Sequence, residues 1–161
     1  MKQIDDARLG ALVARARAAE RRRANDNLHP DLGDPVQRFL NAVEPGSYVR
    51  PHRHTHPPRW ELFLALTGRA AVLGFDEGGR VVWREELSAQ GPVRGVEIEP
   101  GAWHAVAALE PGTVLFECKP GPYRPVSDKD FAPWAPAEGE PGAAALERWY
   151  RTAGPGERWE G

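Results

Sequence analysis

The chain has 161 residues, enough for one domain with a real core, and its 41% hydrophobic and 27% charged content is that of an ordinary soluble protein. A formal charge of −2 excludes a general attraction to nucleic acid or anionic lipid. No stretch is apolar enough to span a membrane, so a compact site for a small molecule is the default. The single cysteine, Cys118, rules out an internal disulfide and fits a reducing compartment. The amino terminus lacks the apolar centre of a secretory signal, and the expected location is cytoplasmic.

Residues from Asp5 to about Arg23 read as a helix: acidic first turn, alanine-rich middle, and Arg21-Arg22-Arg23 near the end to complement the macrodipole. Ile4, Leu9, Leu12, Val13 and Ala16 form a narrow apolar stripe that must lie on something. The arginine run, without interleaved aromatics, reads as a solvated helix end rather than a nucleic-acid patch. Ala24 to Pro30 is polar and reads as an irregular connection. Its Asn25, Asn27 and His29 alternate, so they either line a pocket mouth or satisfy turn hydrogen bonds, and the turn reading is the simpler one.

From there the chain is strand after strand: Val36–Val43, Tyr48–His56, Trp60–Thr67, Ala70–Phe75, Val81–Leu87, Val93–Ile98, His104–Leu109 and Thr113–Lys119. Turn signals at Gly68, Asp76-Glu77-Gly78-Gly79, Pro100-Gly101 and Pro111-Gly112 separate them, and short strands at such spacing without helices predict a sandwich or closed barrel. The unbroken Leu62-Phe63-Leu64-Ala65-Leu66 run implies that both faces of its strand are covered. Beyond Pro120 the prolines forbid regular structure. Tyr123, Phe131 and Trp134 are spaced as anchors of an irregular tail, with one short helix over Gly142–Tyr150 and looser structure after Gly139. The chain thus divides into 1–30, helix and polar connection; 36–120, the barrel; and 121–161, the tail.

The chemistry concentrates between Gly46 and Gly68. His52, His54 and His56 alternate, and in an extended strand alternate side chains share a face. Pro57-Pro58 turns the chain back through Trp60, and Glu61 starts the returning strand. Two of these imidazoles with a carboxylate suit one divalent ion of zinc, iron, manganese, nickel or copper. His104, delivered by the Pro100-Gly101 turn, supplies a further ligand. Trp60 and Trp103, each beside a proposed ligand, face the opposite way and read as core or interface. Cys118 reads as a small buried hydrophobe. Its neighbour Glu117, in an apolar strand, must face either solvent or the pocket.

Glycine, five residues, His-x-His, then Glu, six residues, glycine, and a distal Pro-Gly-x-x-His resemble the two-motif signature of the cupins. Six residues separate His54 from Glu61, where that signature has three or four. His54 with His56 restores the spacing to Glu61 but breaks that from Gly46, so His52 and His54 are preferred over His54 and His56. Further stretches, Arg21 to His29, Val36-Gln37-Arg38, Pro51 to His54, Trp60 to Phe63, Trp103-His104, Ala108 to Thr113 and Asp130 to Gly139, resemble the WbuC family of cupin-fold metalloproteins. The resemblance implies an all-β fold, a double-stranded β-helix or jelly-roll barrel with a single metal. It also implies a setting in surface-polysaccharide metabolism for some members, but no defined reaction.

A metal held by His52, His54, Glu61 and His104 leaves open positions for a hydroxy-ketone, an enediol or a keto acid. Glu61 is the candidate base if loosely held. Arg50, His56 and Glu117 are candidate substrate contacts, Arg50 as a carboxylate or phosphate clamp. The expected reaction is isomerisation or epimerisation of a small polar, carbohydrate-like or keto-acid substrate, with oxidative cleavage by an iron dioxygenase and noncatalytic metal or saccharide binding as alternatives. A homodimer is expected, since cupins often pair through sheet faces.

Overall fold

The computed structural model describes residues 1–125, 127 and 130–161. Helix α1, Asp6–Ala18, begins where Asp5 accepts a hydrogen bond from the Arg8 backbone N–H at 2.9 Å. It buries Leu9, Leu12 and Ala16 against Leu40, Ala42 and Val114. Val13 packs beside them, while Ile4 is exposed.

The helix stops five residues short of Arg23, because Ala19 leaves the helical conformation at ψ 139°, and Arg22, with a left-handed φ of 55°, then turns the chain back. The polar segment beyond it is not an irregular connection: Arg23–Asn27 is strand β1, pairing antiparallel with β2, Val36–Val43, in the register Asn25 opposite Asn41. Nothing in Arg-Ala-Asn-Asp-Asn favours a strand locally. The open edge of β2 imposes it.

The remaining strands are β3 (Glu61–Thr67), β4 (Arg69–Phe75), β5 (Val81–Ser88), β6 (Gly95–Ile98), β7 (Trp103–Ala108) and β8 (Thr113–Pro120). They form two antiparallel sheets, β1-β2-β8-β3-β6 and β5-β4-β7. Between them lie Phe63, Ala65, Ala70, Val72, Leu87, Ile98, Val106 and Leu115. The outer face of the larger sheet carries α1. The outer face of the smaller one is covered by the carboxy-terminal segment, with Ala71, Leu73 and Phe75 packed against Ala132, Ala135, Leu146 and Tyr150. The β7 strand is therefore buried along its whole length.

Three expectations change. Tyr48–His56 is not a strand; among the described residues it pairs only through single bridges of His52 to His104 and to Phe131, and of Thr55 to Pro58. Prolines 51, 57 and 58 withhold the donors a ladder needs. The chain does not loosen after Gly139: helix α2, Ala143–Tyr150, fully buries Leu146 and Tyr150, and Trp149 meets Trp159 at 5.9 Å. Tyr123 is 48% exposed and is tied by a backbone bond to Leu32 O at 2.7 Å, whereas Trp134 packs on Phe75 at 5.1 Å. On β3 the run from Leu62 is covered unevenly: Phe63 and Ala65 are buried, Leu66 packs beneath α1, and Leu64 remains 36% exposed.

Candidate metal centre

His52 and His104 stand on different segments but exchange backbone hydrogen bonds, His52 N to His104 O at 3.0 Å and His104 N to His52 O at 2.9 Å. Their rings lie 4.4 Å apart, and His54 stands at 5.2 Å from His52 and 5.8 Å from His104. Glu61, fully buried at the start of β3, completes the group: one donor atom from each of these four residues lies within 4.8 Å of the others. Four ligands around an ion at about 2.1 Å are separated by roughly 3–4 Å, so a small closure suffices.

The donor chemistry fits a cation. His52 Nδ1 donates to Arg50 O and His104 Nδ1 to Ala102 O, both at 3.0 Å, which turns each Nε2 inward. His104 Nε2 then sits 2.9 Å from Glu61 Oε2. His54 Nε2, 3.5 Å from the same oxygen, is buried without a hydrogen-bond partner among the described residues. The four donor atoms converge on one point, where a cation would meet the Glu61 oxygen and the orphaned His54 nitrogen together. Burial, with His104 alongside, holds the His52 imidazole well below its ordinary range and so keeps it neutral.

Behind the cluster runs a line of charges. Lys119 Nζ donates to Glu61 Oε1 at 2.7 Å and to Glu117 Oε1 at 2.6 Å, and Glu117 Oε2 accepts from Asn41. The antiparallel register that sets Leu62 opposite Cys118 brings Glu61 to Lys119. Burial alone would raise Glu61, but Lys119 and hydrogen bonds outweigh it and hold the carboxyl well below the usual range. Glu117 goes the other way: burial and the Glu61 charge push it well above that range.

A cavity of about 730 Å³ opens from this inner end. Its lining includes His52, Glu61, Glu117 and Lys119, and also Asn25, Asn27 and His29, so those three face a pocket instead of merely closing a turn. His29 anchors locally as well, its Nδ1 accepting from the Arg38 N–H at 3.1 Å. Arg50 lines a smaller neighbouring cavity. His56 is left outside, exposed on the turn with Nδ1 against Thr55 Oγ1 at 2.6 Å. Trp103 is buried, donating from Nε1 to Glu77 at 3.0 Å under the Arg53 guanidinium, and Cys118 is half-buried. Sequence reasoning passed over Lys119 and Asn41. A signal for the first was the period of two along β8, which puts Lys119 on the same face as Glu117.

Two antiparallel sheets closing on a His₃Glu cluster define a cupin-type barrel with a candidate mononuclear metal site. Residues 4–87, about half of the chain, match the family described as a domain of unknown function, DUF6016, and the chain belongs to that family. Among solved structures it is similar to the TT1209 protein from Thermus thermophilus (20% identity, 74% of this chain and 97% of that one, TM-score 0.51). It is also similar to KdgF from Halomonas sp. (18% identity, 63% and 80%, TM-score 0.48) and to a cupin 2 domain-containing protein from Halorhodospira halophila (27% identity, 66% and 67%, TM-score 0.46). No curated protein matches the chain. Among the described residues no helix is long and apolar enough to cross a membrane.

Proposed function

We propose that the chain is a mononuclear metal-binding cupin of the WbuC kind, acting on a small polar carbohydrate-like or keto-acid substrate in surface-polysaccharide metabolism, with isomerisation or epimerisation as its reaction. The observation that carries the reading is the convergence of inward-facing Nε2 atoms from His52 and His104, with His54 and Glu61, at the inner end of a polar cavity of about 730 Å³. When bound there, a divalent ion supplies Lewis-acid polarisation of a carbonyl or hydroxyl oxygen.

The chain's own residues do the rest. Lys119 occupies Glu61 Oε1, so Glu61 offers the centre only Oε2 and keeps no free oxygen for a substrate proton. That shifts the acid–base role towards Glu117, which lines the cavity, shares Lys119 and is held toward its protonated form. Phe63, Val106 and Leu115 form an apolar wall that excludes water, and Arg50 stands at the side to hold an acid group. The test is turnover of hydroxy-ketone and keto-acid substrates by metal-loaded wild type and by Glu117→Gln. Proton exchange with solvent at the carbon next to the carbonyl, lost in the variant, is the expected result. Oxygen uptake by the iron-loaded protein would replace isomerisation with oxidative cleavage, and no turnover with any of the metals would leave a binding protein.

A further inference from the structure

Beside the main cavity lies a second of about 350 Å³, and the two share Arg21, Arg23, Val49 and His52. Among the described residues three guanidiniums line the smaller one, from Arg21, Arg23 and Arg50, against a single carboxylate, Glu138. That carboxylate is gripped as a free ligand would be. Arg21 forks onto it, Nε to Oε1 at 2.8 Å and Nη2 to Oε2 at 2.6 Å, and Arg23 Nη2 adds a third contact at 3.1 Å. The third guanidinium is under-used: Arg50 donates once, to Ala132 O at 3.2 Å, faces the Phe131 ring at 5.2 Å, and its buried Nε has no partner among the described residues.

We propose that Arg21, Arg23 and Arg50 form a carboxylate subsite beside the metal position, and that Glu138 is its tethered occupant, displaced by the acid group of the ligand. The reading rests on the proposed metal site for its second anchor, because His52 lines both cavities and a carboxylate in the smaller one is next to the cluster. It narrows the substrate to a molecule with a chelating end and a carboxylate. Three features support exchange in place of a fixed structural tie. The pair is exposed, 61% at Arg21 and 38% at Glu138, and such pairs are weak. Three positive groups against one negative leave an excess that an anion relieves. Arg22, a non-glycine residue at φ 55°, stands between the two arginines that meet the same carboxylate, and backbone strain of this kind is characteristic of ligand clamps.

The test separates the subsite from the metal. In metal-free full-length protein, Glu138→Ala should bind acetate about tenfold more tightly than wild type in a chemical-shift titration, and Arg21→Met added to it should remove the gain. In zinc-loaded Glu138→Ala, one member of the series malonate, succinate, glutarate and adipate should bind about tenfold more tightly than acetate, by bridging guanidinium and metal. Equal acetate affinity in wild type and Glu138→Ala, with melting temperature lowered, would overturn the subsite and leave Glu138 a structural tie. An acetate gain without a dicarboxylate preference would place the subsite away from the metal. Failure to take up zinc, with the acetate gain intact, would instead count against the proposed metal site.

Discussion

His52 and His104 hold each other through a reciprocal pair of backbone hydrogen bonds at 3.0 and 2.9 Å, although 51 residues separate them and neither bond involves an imidazole. The scaffold that aligns the two rings is thus independent of the rings themselves. Truncating either side chain should remove a ligand without unfolding the barrel. His52→Ala and His104→Ala are expected to fall from one bound divalent ion per chain to near none, whereas His56→Ala, exposed on its turn, retains it. Metal analysis of protein purified without chelators reads the outcome, and loss in His56→Ala with retention in His52→Ala would reverse the ligand assignment.

Lys119 lies between two buried carboxylates, and its ammonium is their shared counter-charge. Lys119→Met leaves the buried Glu61 carboxylate without its counter-charge, beside a Glu117 already held toward its protonated form. Breaking a buried pair from one side costs about 3–5 kcal/mol. The metal-free variant should show that loss in denaturant melts, and a divalent ion should restore part of it by taking over the compensation of Glu61. A variant as stable as wild type without metal would mean that Glu61 does not depend on Lys119 for its charge.

How much of this was legible in the sequence follows from which interactions are local. The strands from β2 to β8 announce themselves through apolar runs between glycine and proline turns, and the His-x-His, Glu and Pro-Gly-x-x-His spacing marks the ligands. What stayed hidden is decided at long range. The polar β1 is a strand only because β2 offers it an edge, and a lysine at a strand end reads as solvated until the pairing of Leu62 with Cys118 brings Glu61 to it. Arg21 and Arg23 likewise read as a solvated helix end, and only the fold of the tail brings Glu138 to them.

Acid should act through Glu61. Its folded value is depressed, so its contribution to stability is present above the ordinary glutamate range, about 4.3, and is lost as pH falls through the lower folded value. The difference in melting temperature between metal-free wild type and Glu61→Gln is therefore expected to be level above about pH 5 and to shrink below about pH 4. A difference that instead grew on acidification would mean that the folded protein stabilises the protonated form.

The loop that leads into the histidines is braced from the far end of the chain. Glu147, on α2 and 1% exposed, accepts from the Gly46 N–H at 2.9 Å, while Arg151 forks onto it, Nε to Oε1 at 3.0 Å and Nη2 to Oε2 at 2.6 Å. Gly46 has φ 94°, a conformation glycine tolerates, and this carboxylate fixes its exposed amide in place. Glu147→Ala removes the acceptor and leaves Arg151, 32% exposed, to be solvated by water, at a cost of about 1–2 kcal/mol. Because Gly46 lies six residues before His52, the same variant should also weaken metal binding, although Glu147 is not among the four donor residues. A competitive chelator titration alongside a urea melt separates the two effects. Weaker binding at temperatures where the variant is fully folded is the expected result, and unchanged affinity would confine α2 to stabilising the fold.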